Sequence, residues 1–148
     1  MDTPTKPRGC SNLKLRQLTR LVTQLYDTEV GKSGLKTTQY SLLSHVMSLG
    51  PVRPGDLARA MRMEASTLTR NLRPLQDAGW VEVVAGDDAR SRSVQITEPG
   101  RAKRQEAQRH WRIAQETLNE RLGVAHVLAL HALLDETVRL LDAAPDTE

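Results

Sequence analysis

Two short helical patterns lie next to each other in the middle of the chain, and they restrict the fold more than any other feature. Their apolar residues recur at helical spacing: Leu57, Ala58 and Met61 in the first, and Leu68, Leu72 and Leu75 in the second. The first pattern covers residues 54–61 and the second covers residues 65–78, so a turn of only three residues separates them. Two short helices joined by so brief a turn predict a helix-turn-helix.

The hydrophobic period changes directly after the second pattern. Apolar and polar residues alternate on both sides of a turn signal at residues 86–88: Val81 and Val83 before it, and Val94 and Ile96 after it. Alternation with a period of two indicates strands, so we predict a β-hairpin with strands over residues 80–85 and 93–97. A helix-turn-helix followed at once by a hairpin is a winged helix, in which the hairpin forms the wing.

Longer helical patterns flank this segment. They cover residues 12–31, 38–49, 99–122 and 125–142. Thr37 and Thr97 are the predicted N-caps of the helices that follow them. Pro74 lies inside the second short helix, and we expect it to distort that helix without ending it, because the leucine spacing continues beyond it. The predicted fold is mainly α, with a small β-hairpin wing.

Length and composition exclude several classes of protein. The 148 residues favour one domain, and no apolar run approaches the roughly 20 residues that span a bilayer. The first 11 residues lack the apolar segment of a secretory signal, and a single cysteine, Cys10, cannot form an intramolecular disulfide. We therefore expect a cytoplasmic protein with no membrane partner.

Charge is distributed unevenly along the chain. Residues 1–104 carry seventeen Lys and Arg against ten Asp and Glu, whereas residues 105–148 carry four against eight. The basic part favours an anionic partner, of which nucleic acid is the leading candidate. Ordinary solvated surface charge is the alternative.

The second short helix and the wing carry the predicted DNA contacts. Hydroxyl and guanidinium groups bind phosphates and guanine edges. Between its leucines the helix offers Ser66, Thr67, Thr69, Arg70 and Arg73. At the wing tip, Arg90 and Arg92 are placed to enter the minor groove, and Asp88 is expected to orient a neighbouring arginine.

The chain resembles the MarR family of transcription regulators in the order and spacing of its motifs. These are residues 35–40, Gly50-Pro51 with Leu57-Ala58, residues 66–72, residues 79–81, Asp88-Ala89-Arg90 in the wing, and Ile96-Thr97 with Gly100. The resemblance covers about residues 12–142. It implies a homodimeric regulator, a repressor in particular, that binds a pseudo-palindromic operator in double-stranded DNA.

The resemblance also implies which parts of the chain dimerise. Residues 1–11 are then a flexible arm and residues 12–148 form one protomer. Within it, residues 35–100 are the winged lobe, and residues 12–31 with 101–143 are the dimerisation helices. The last helix agrees, because it is apolar on more than one face: Val127, Leu128, Leu130, Leu133, Leu134, Val138, Leu140 and Leu141.

A small-molecule effector, often an anionic aromatic, is a further implication of the resemblance. It would bind between the dimerisation helices and the winged lobe. The candidate residues are Arg16, Arg20, Tyr40, His45 and Trp111. Alternatively, they are packing or surface residues, and the sequence does not identify the ligand.

Cys10 suggests a different switch, in which oxidation changes DNA binding. Some relatives sense hydroperoxides through a cysteine near the start of the first helix, and Arg8 beside Cys10 favours a thiolate. Aligned on Tyr26, however, the sensor position falls at about Asn12 and one partner tyrosine falls at Arg16. A one-cysteine switch is therefore not expected, whereas an intersubunit disulfide stays open.

Other functions find less support in the sequence. The four histidines, which are His45, His110, His126 and His131, include no pair four residues apart, so no metal site is predicted. There is no glycine-rich phosphate loop and no Gly-x-Ser-x-Gly nucleophile motif, so we predict neither an enzyme nor a cofactor. A winged helix that contacts proteins is the remaining alternative, and the basic wing tip argues against it.

Overall fold

The computed structural model describes residues 6–86, 88 and 91–143, and six α-helices and one β-hairpin form within that part of the chain. The elements are α1 Ser11–Val30, α2 Thr37–Leu49, α3 Pro54–Ala60, α4 Ala65–Asp77, β1 Val81–Ala85, β2 Arg92–Ile96, α5 Glu98–Leu122 and α6 Val124–Asp142, with a 3-10 turn at Gly31–Ser33. The predicted fold class is confirmed.

The predicted helix-turn-helix is formed by α3 and α4. Its turn covers residues 61–64 and closes when the Met63 N–H donates to the Ala58 carbonyl at 2.8 Å. Arg62 adopts a left-handed conformation, with φ of 52°, which reverses the chain after α3. The leucines of both helices are buried in one core with α2 and the hairpin: Leu57, Leu68, Leu72 and Leu75.

Pro74 does not end α4, which continues to Asp77 as predicted. Because Pro74 has no N–H, the Arg70 carbonyl cannot receive its usual helical hydrogen bond. Pro74 is exposed, so water can reach that carbonyl from outside the core. The packing of the leucines on the opposite face holds the helix together across this gap.

An isolated β-bridge joins the middle of the hairpin to residue 52. Val83 lies opposite Val94 in the antiparallel pair of β1 and β2. Val94 also forms a bridge to Val52, in which each N–H donates to the other carbonyl, at 3.0 and 2.8 Å. Val52 lies two residues before α3. This bridge therefore connects the wing to the entrance of the helix-turn-helix.

Thr37 is not the N-cap that the sequence predicted. The helix α2 begins at Thr37, and the backbone N–H and the hydroxyl of this residue both donate to the Asp27 carboxylate, at 2.8 and 2.7 Å. A carboxylate on α1 is a stronger acceptor than the threonine hydroxyl and is favoured at a helix N-terminus. This contact fastens α1 to α2.

Thr97 caps α5 as predicted. Its hydroxyl oxygen accepts from the Gly100 N–H at 3.1 Å and donates to the Gly79 carbonyl at 2.6 Å. Gly100 packs directly against the Trp80 carbonyl, at a distance that leaves no space for a Cβ atom. The junction between the wing and the long helix therefore depends on a glycine at position 100.

Much of the apolar surface of α1 and α6 is uncovered. In α6 only Val127 is buried, whereas Leu128, Leu133 and Leu141 are 65%, 67% and 83% exposed. In α1, Leu21 is 66% exposed. None of the helices in the described ranges is long and apolar enough to cross a membrane.

We expect Gly100→Ala to destabilise the protein by about 1–3 kcal/mol, because the new methyl group must displace the Trp80 backbone. Gly55→Ala is the matched control. Gly55 also lies in the first turn of a helix, but it has open space around its Cβ position, so the substitution should stabilise by up to about 1 kcal/mol. Urea unfolding followed by circular dichroism measures both. Equal stabilities for the two variants would contradict the tight junction.

Candidate nucleic-acid interface

The exposed face of α4 carries most of the predicted DNA contacts. Ser66, Thr69, Arg70 and Arg73 are all exposed and follow the spacing i, i+3, i+4 and i+7, which places them on one stripe. The buried leucines occupy the opposite side of the helix. Thr67 is partly buried and lies off this stripe. The Thr69 hydroxyl donates to the Ala65 carbonyl at 3.0 Å, which leaves the oxygen free to accept from outside.

The described arginines of this surface form no ion pair with a described carboxylate. Arg70, Arg73 and Arg92 take part in none of the ion pairs found in the described part of the chain. By contrast, Arg59 on α3 pairs with Asp56 three residues before it. The stripe on α4 and Arg92, at the end of β2 nearest the turn, therefore present positive charge to the solvent.

The wing narrows to a turn closed by Ser91. The Ser91 N–H donates to the Asp88 carbonyl at 2.9 Å, and the Gly86 N–H donates to the Ser91 carbonyl at 2.6 Å. Arg92 follows this turn as the exposed first residue of β2. Arg90 lies outside the described residues. The expected role of Asp88 in orienting an arginine stays a prediction.

Two cations on α5 hold the long helix against the winged lobe, and the sequence did not single them out. The Lys103 ammonium donates to the Ser33 carbonyl at 2.9 Å and lies 5.8 Å from the centre of the Trp80 ring. The Arg104 Nε donates to the Ser44 hydroxyl at 3.0 Å. These contacts join α5 to the 3-10 turn, to the wing and to α2.

Arg104 also belongs to an aromatic cluster where α2 meets α5. Its guanidinium lies 5.7 Å from the centre of the Tyr40 ring, and the rings of Tyr40 and Trp111 are 6.2 Å apart. The sequence contained a signal for this cluster, because Arg104 and Trp111 are seven residues apart and so share one face of α5. Two of the five predicted effector residues thus meet, together with a cation.

The other three effector candidates lie elsewhere. Arg16 is exposed on α1, and Arg20 lines a shallow depression formed by α1 alone. His45 Nδ1 lies 2.7 Å from the Ser41 carbonyl within α2. A separate groove of about 760 Å³ lies between α1 and α5, and none of the five candidates lines it. Its lining is mostly apolar: Leu18, Leu21, Val22, Leu25, Ala114, Leu118 and Leu122.

Cys10 is an exposed free thiol at the N-cap of α1. The Lys14 N–H donates to its carbonyl at 3.1 Å, so the backbone of Cys10 starts the helix. Among the described residues, no three His, Cys, Asp or Glu side chains are grouped closely enough to hold a metal ion.

The chain is similar in sequence to a known family and to a curated protein. The family model described as the MarR family matches residues 33–91. The uncharacterized HTH-type transcriptional regulator YwoH of Bacillus subtilis (strain 168) is 28% identical over 93 residues, which cover 63% of this chain and 68% of YwoH.

Solved structures extend the similarity to most of the chain. The transcriptional regulator MosR of M. tuberculosis, solved in complex with DNA, is 32% identical, with a TM-score of 0.70 over 88% of this chain and 99% of its own. A probable transcriptional regulator from Pseudomonas aeruginosa is 25% identical, with a TM-score of 0.79 over 86% and 96%. A mutant MarR from E. coli, complexed with operator DNA, is 20% identical with a TM-score of 0.79 over 86% and 92%, which shows the shared fold.

The fold and the exposed stripe thus define a DNA-binding transcriptional regulator of the winged helix-turn-helix class. Within that class, the chain belongs to the MarR family.

We expect Arg70→Ala and Arg73→Ala each to weaken DNA binding by about 1–3 kcal/mol where the arginine contacts a base. The control is Arg109→Ala, which removes an equally exposed charge from α5. Fluorescence anisotropy with a cognate and a scrambled duplex measures the loss. A base contact predicts a larger loss on the cognate duplex. If Arg109→Ala costs as much as the other two, net charge alone explains the effect.

Proposed function

We propose that the protein is a homodimeric repressor that binds a pseudo-palindromic operator and whose DNA affinity changes when a small molecule binds. The observation that carries this proposal is the exposed stripe on α4, whose Arg70 and Arg73 have no ion pair in the described residues. The helix would lie in the major groove, where its arginines reach base edges, while the wing reaches an adjacent groove.

The dimer is supported by the apolar surface that one protomer leaves uncovered. Side chains such as Leu21, Leu128 and Leu133 are about two-thirds exposed, and they lie on the two terminal helices rather than on the winged lobe. Apolar side chains left this exposed on two helices favour a protein–protein interface. A two-fold dimer then carries two recognition helices, which require operator half-sites about one helical turn apart, roughly 34 Å.

Repression needs no contact beyond DNA binding, because a dimer on promoter DNA excludes other proteins from the same base pairs. An effector would act through the separation of the two winged lobes. The cluster of Tyr40, Trp111 and Arg104 supports an effector with an aromatic ring and an anionic group, since it lies where the lobe joins α5. Arg104 would supply the cation for the anionic group of the effector. The sequence had suggested Arg16 and Arg20 for this position.

A DNA titration tests the proposed function. The probe is the intergenic DNA upstream of the protein's own gene, titrated with reduced protein, with peroxide-treated protein and with Cys10→Ser. We expect the unmodified protein and Cys10→Ser both to bind this DNA tightly, before and after treatment with peroxide. Loss of binding on oxidation only when Cys10 is present would instead identify a redox regulator. A folded protein without specific binding would favour a winged helix that contacts proteins.

We expect Leu133→Glu combined with Leu140→Glu to convert the dimer into a monomer, because two charges seven residues apart would enter the apolar face of α6. Leu49→Glu is the control, since Leu49 is 45% exposed but lies at the end of α2. Sedimentation velocity gives the mass of each variant. A stable dimer in the double variant would place the interface elsewhere.

A further inference from the structure

A cleft between the turn of the wing and the entrance of α3 lies outside the stripe on α4. Its volume is about 420 Å³, and it is lined by Arg53, Pro54, Asp88, Ser91 and Arg92. The cleft therefore joins the entrance of α3 to the wing. Arg92 was a predicted DNA contact, whereas the sequence gave no reason to select Arg53.

The backbone fixes the position of Arg53 relative to the wing. Val52, the preceding residue, forms the two-hydrogen-bond bridge to Val94, and both valines are buried, at 8% and 0% exposure. On its other side, the Arg53 carbonyl accepts from the Leu57 N–H at 3.0 Å in the first turn of α3. Residue 53 is thus held between two ordered elements, while its side chain is exposed.

Charge makes this cleft suited to an anion. Neither Arg53 nor Arg92 forms an ion pair in the described part of the chain. Among the described residues that line the cleft, Arg53 and Arg92 carry guanidinium groups and Asp88 carries a carboxylate. A guanidinium binds phosphate oxygens with parallel N–H bonds, and phosphodiester groups are the anions that lie at the edge of a groove.

We infer that Arg53, together with Arg92, binds one backbone phosphate of the operator and so fixes the approach of the wing to the DNA. This inference rests on the proposed function. Arg53 is a positioning residue, because a phosphate contact sets the register of the protein on the duplex and carries no sequence information. The stripe on α4 reads bases, and the cleft holds the strand that runs between α3 and the wing.

The salt dependence of DNA affinity tests this inference. For each phosphate neutralised, the slope of log affinity against log salt changes by about 0.9. Arg53→Ala should therefore reduce the slope by up to that amount for each protomer, which near 0.1 M salt weakens binding by up to about 8-fold per protomer and up to roughly 60-fold for the dimer. The loss should be equal on a cognate duplex and on a scrambled one. Arg53→Lys should keep the slope, because the charge remains.

Arg59→Ala is the matched control. It removes the same charge from α3, the helix that Arg53 precedes, but Arg59 is paired with Asp56, so we expect its slope to stay close to that of the unmodified protein. The Arg53 side chain makes no capping hydrogen bond to α3, so Arg53→Ala should fold, which urea unfolding confirms. An unchanged slope in Arg53→Ala, or an equal change in Arg59→Ala, would overturn the inference. If the unmodified protein shows no binding to any duplex, the proposed function itself fails.

Adding inorganic phosphate at constant ionic strength separates two sources of the anion. We expect no additional loss of DNA affinity, because the cleft binds a phosphate held in place by the duplex. If free phosphate protects the unmodified protein, but not Arg53→Ala, against urea unfolding and leaves DNA affinity unchanged, the cleft binds a free anion rather than DNA and the inference is wrong.

Discussion

The contact between Gly100 and the Trp80 carbonyl is the constraint on which the rest of the structure depends. At this point the chain leaves the wing and enters α5, and the absence of a side chain allows the two backbones to touch. Thr97 completes the junction by bonding both the Gly79 carbonyl and the Gly100 N–H. Lys103 lies about one turn further along α5 and adds another contact to this junction. The orientation of the winged lobe on the long helix is therefore set by local, well-packed contacts.

The last residue of α6 contacts the turn of the helix-turn-helix. The Arg62 guanidinium lies 2.6 Å from the carboxylate of Asp142, the last residue of α6. Its hydrogen bond holds the pKa of that carboxyl below its usual range. Both side chains are exposed, so the pair contributes little to folding. The pair links the C-terminal end of α6 to the turn between α3 and α4.

The sequence predicted those features that arise from local patterns. The leucine spacing located α3 and α4, the valine alternation located the wing, and Thr97 was identified as a cap because threonine before Pro99 is a local signal. Thr37 was assigned wrongly, since its partner Asp27 lies ten residues earlier on another helix. No local sequence pattern predicts a contact between residues on two different helices.

The candidate site follows the same division. The stripe on α4 could be predicted because helical geometry places Ser66, Thr69, Arg70 and Arg73 on one face. The cleft between the turn of the wing and the entrance of α3 could not, because it depends on the bridge between Val52 and Val94, which are 42 residues apart. Arg104 was missed for a similar reason, since its aromatic partner Tyr40 lies on another helix.

The central claim is that one dimer presents two recognition helices to the DNA. Selection of DNA from a random duplex library tests this claim most directly. The reduced protein is incubated with the library, and the bound duplexes are amplified and sequenced over several rounds. The account predicts an inverted repeat whose half-sites are centred about 10 base pairs apart. Enrichment of a single asymmetric motif, or no enrichment at all, would contradict it.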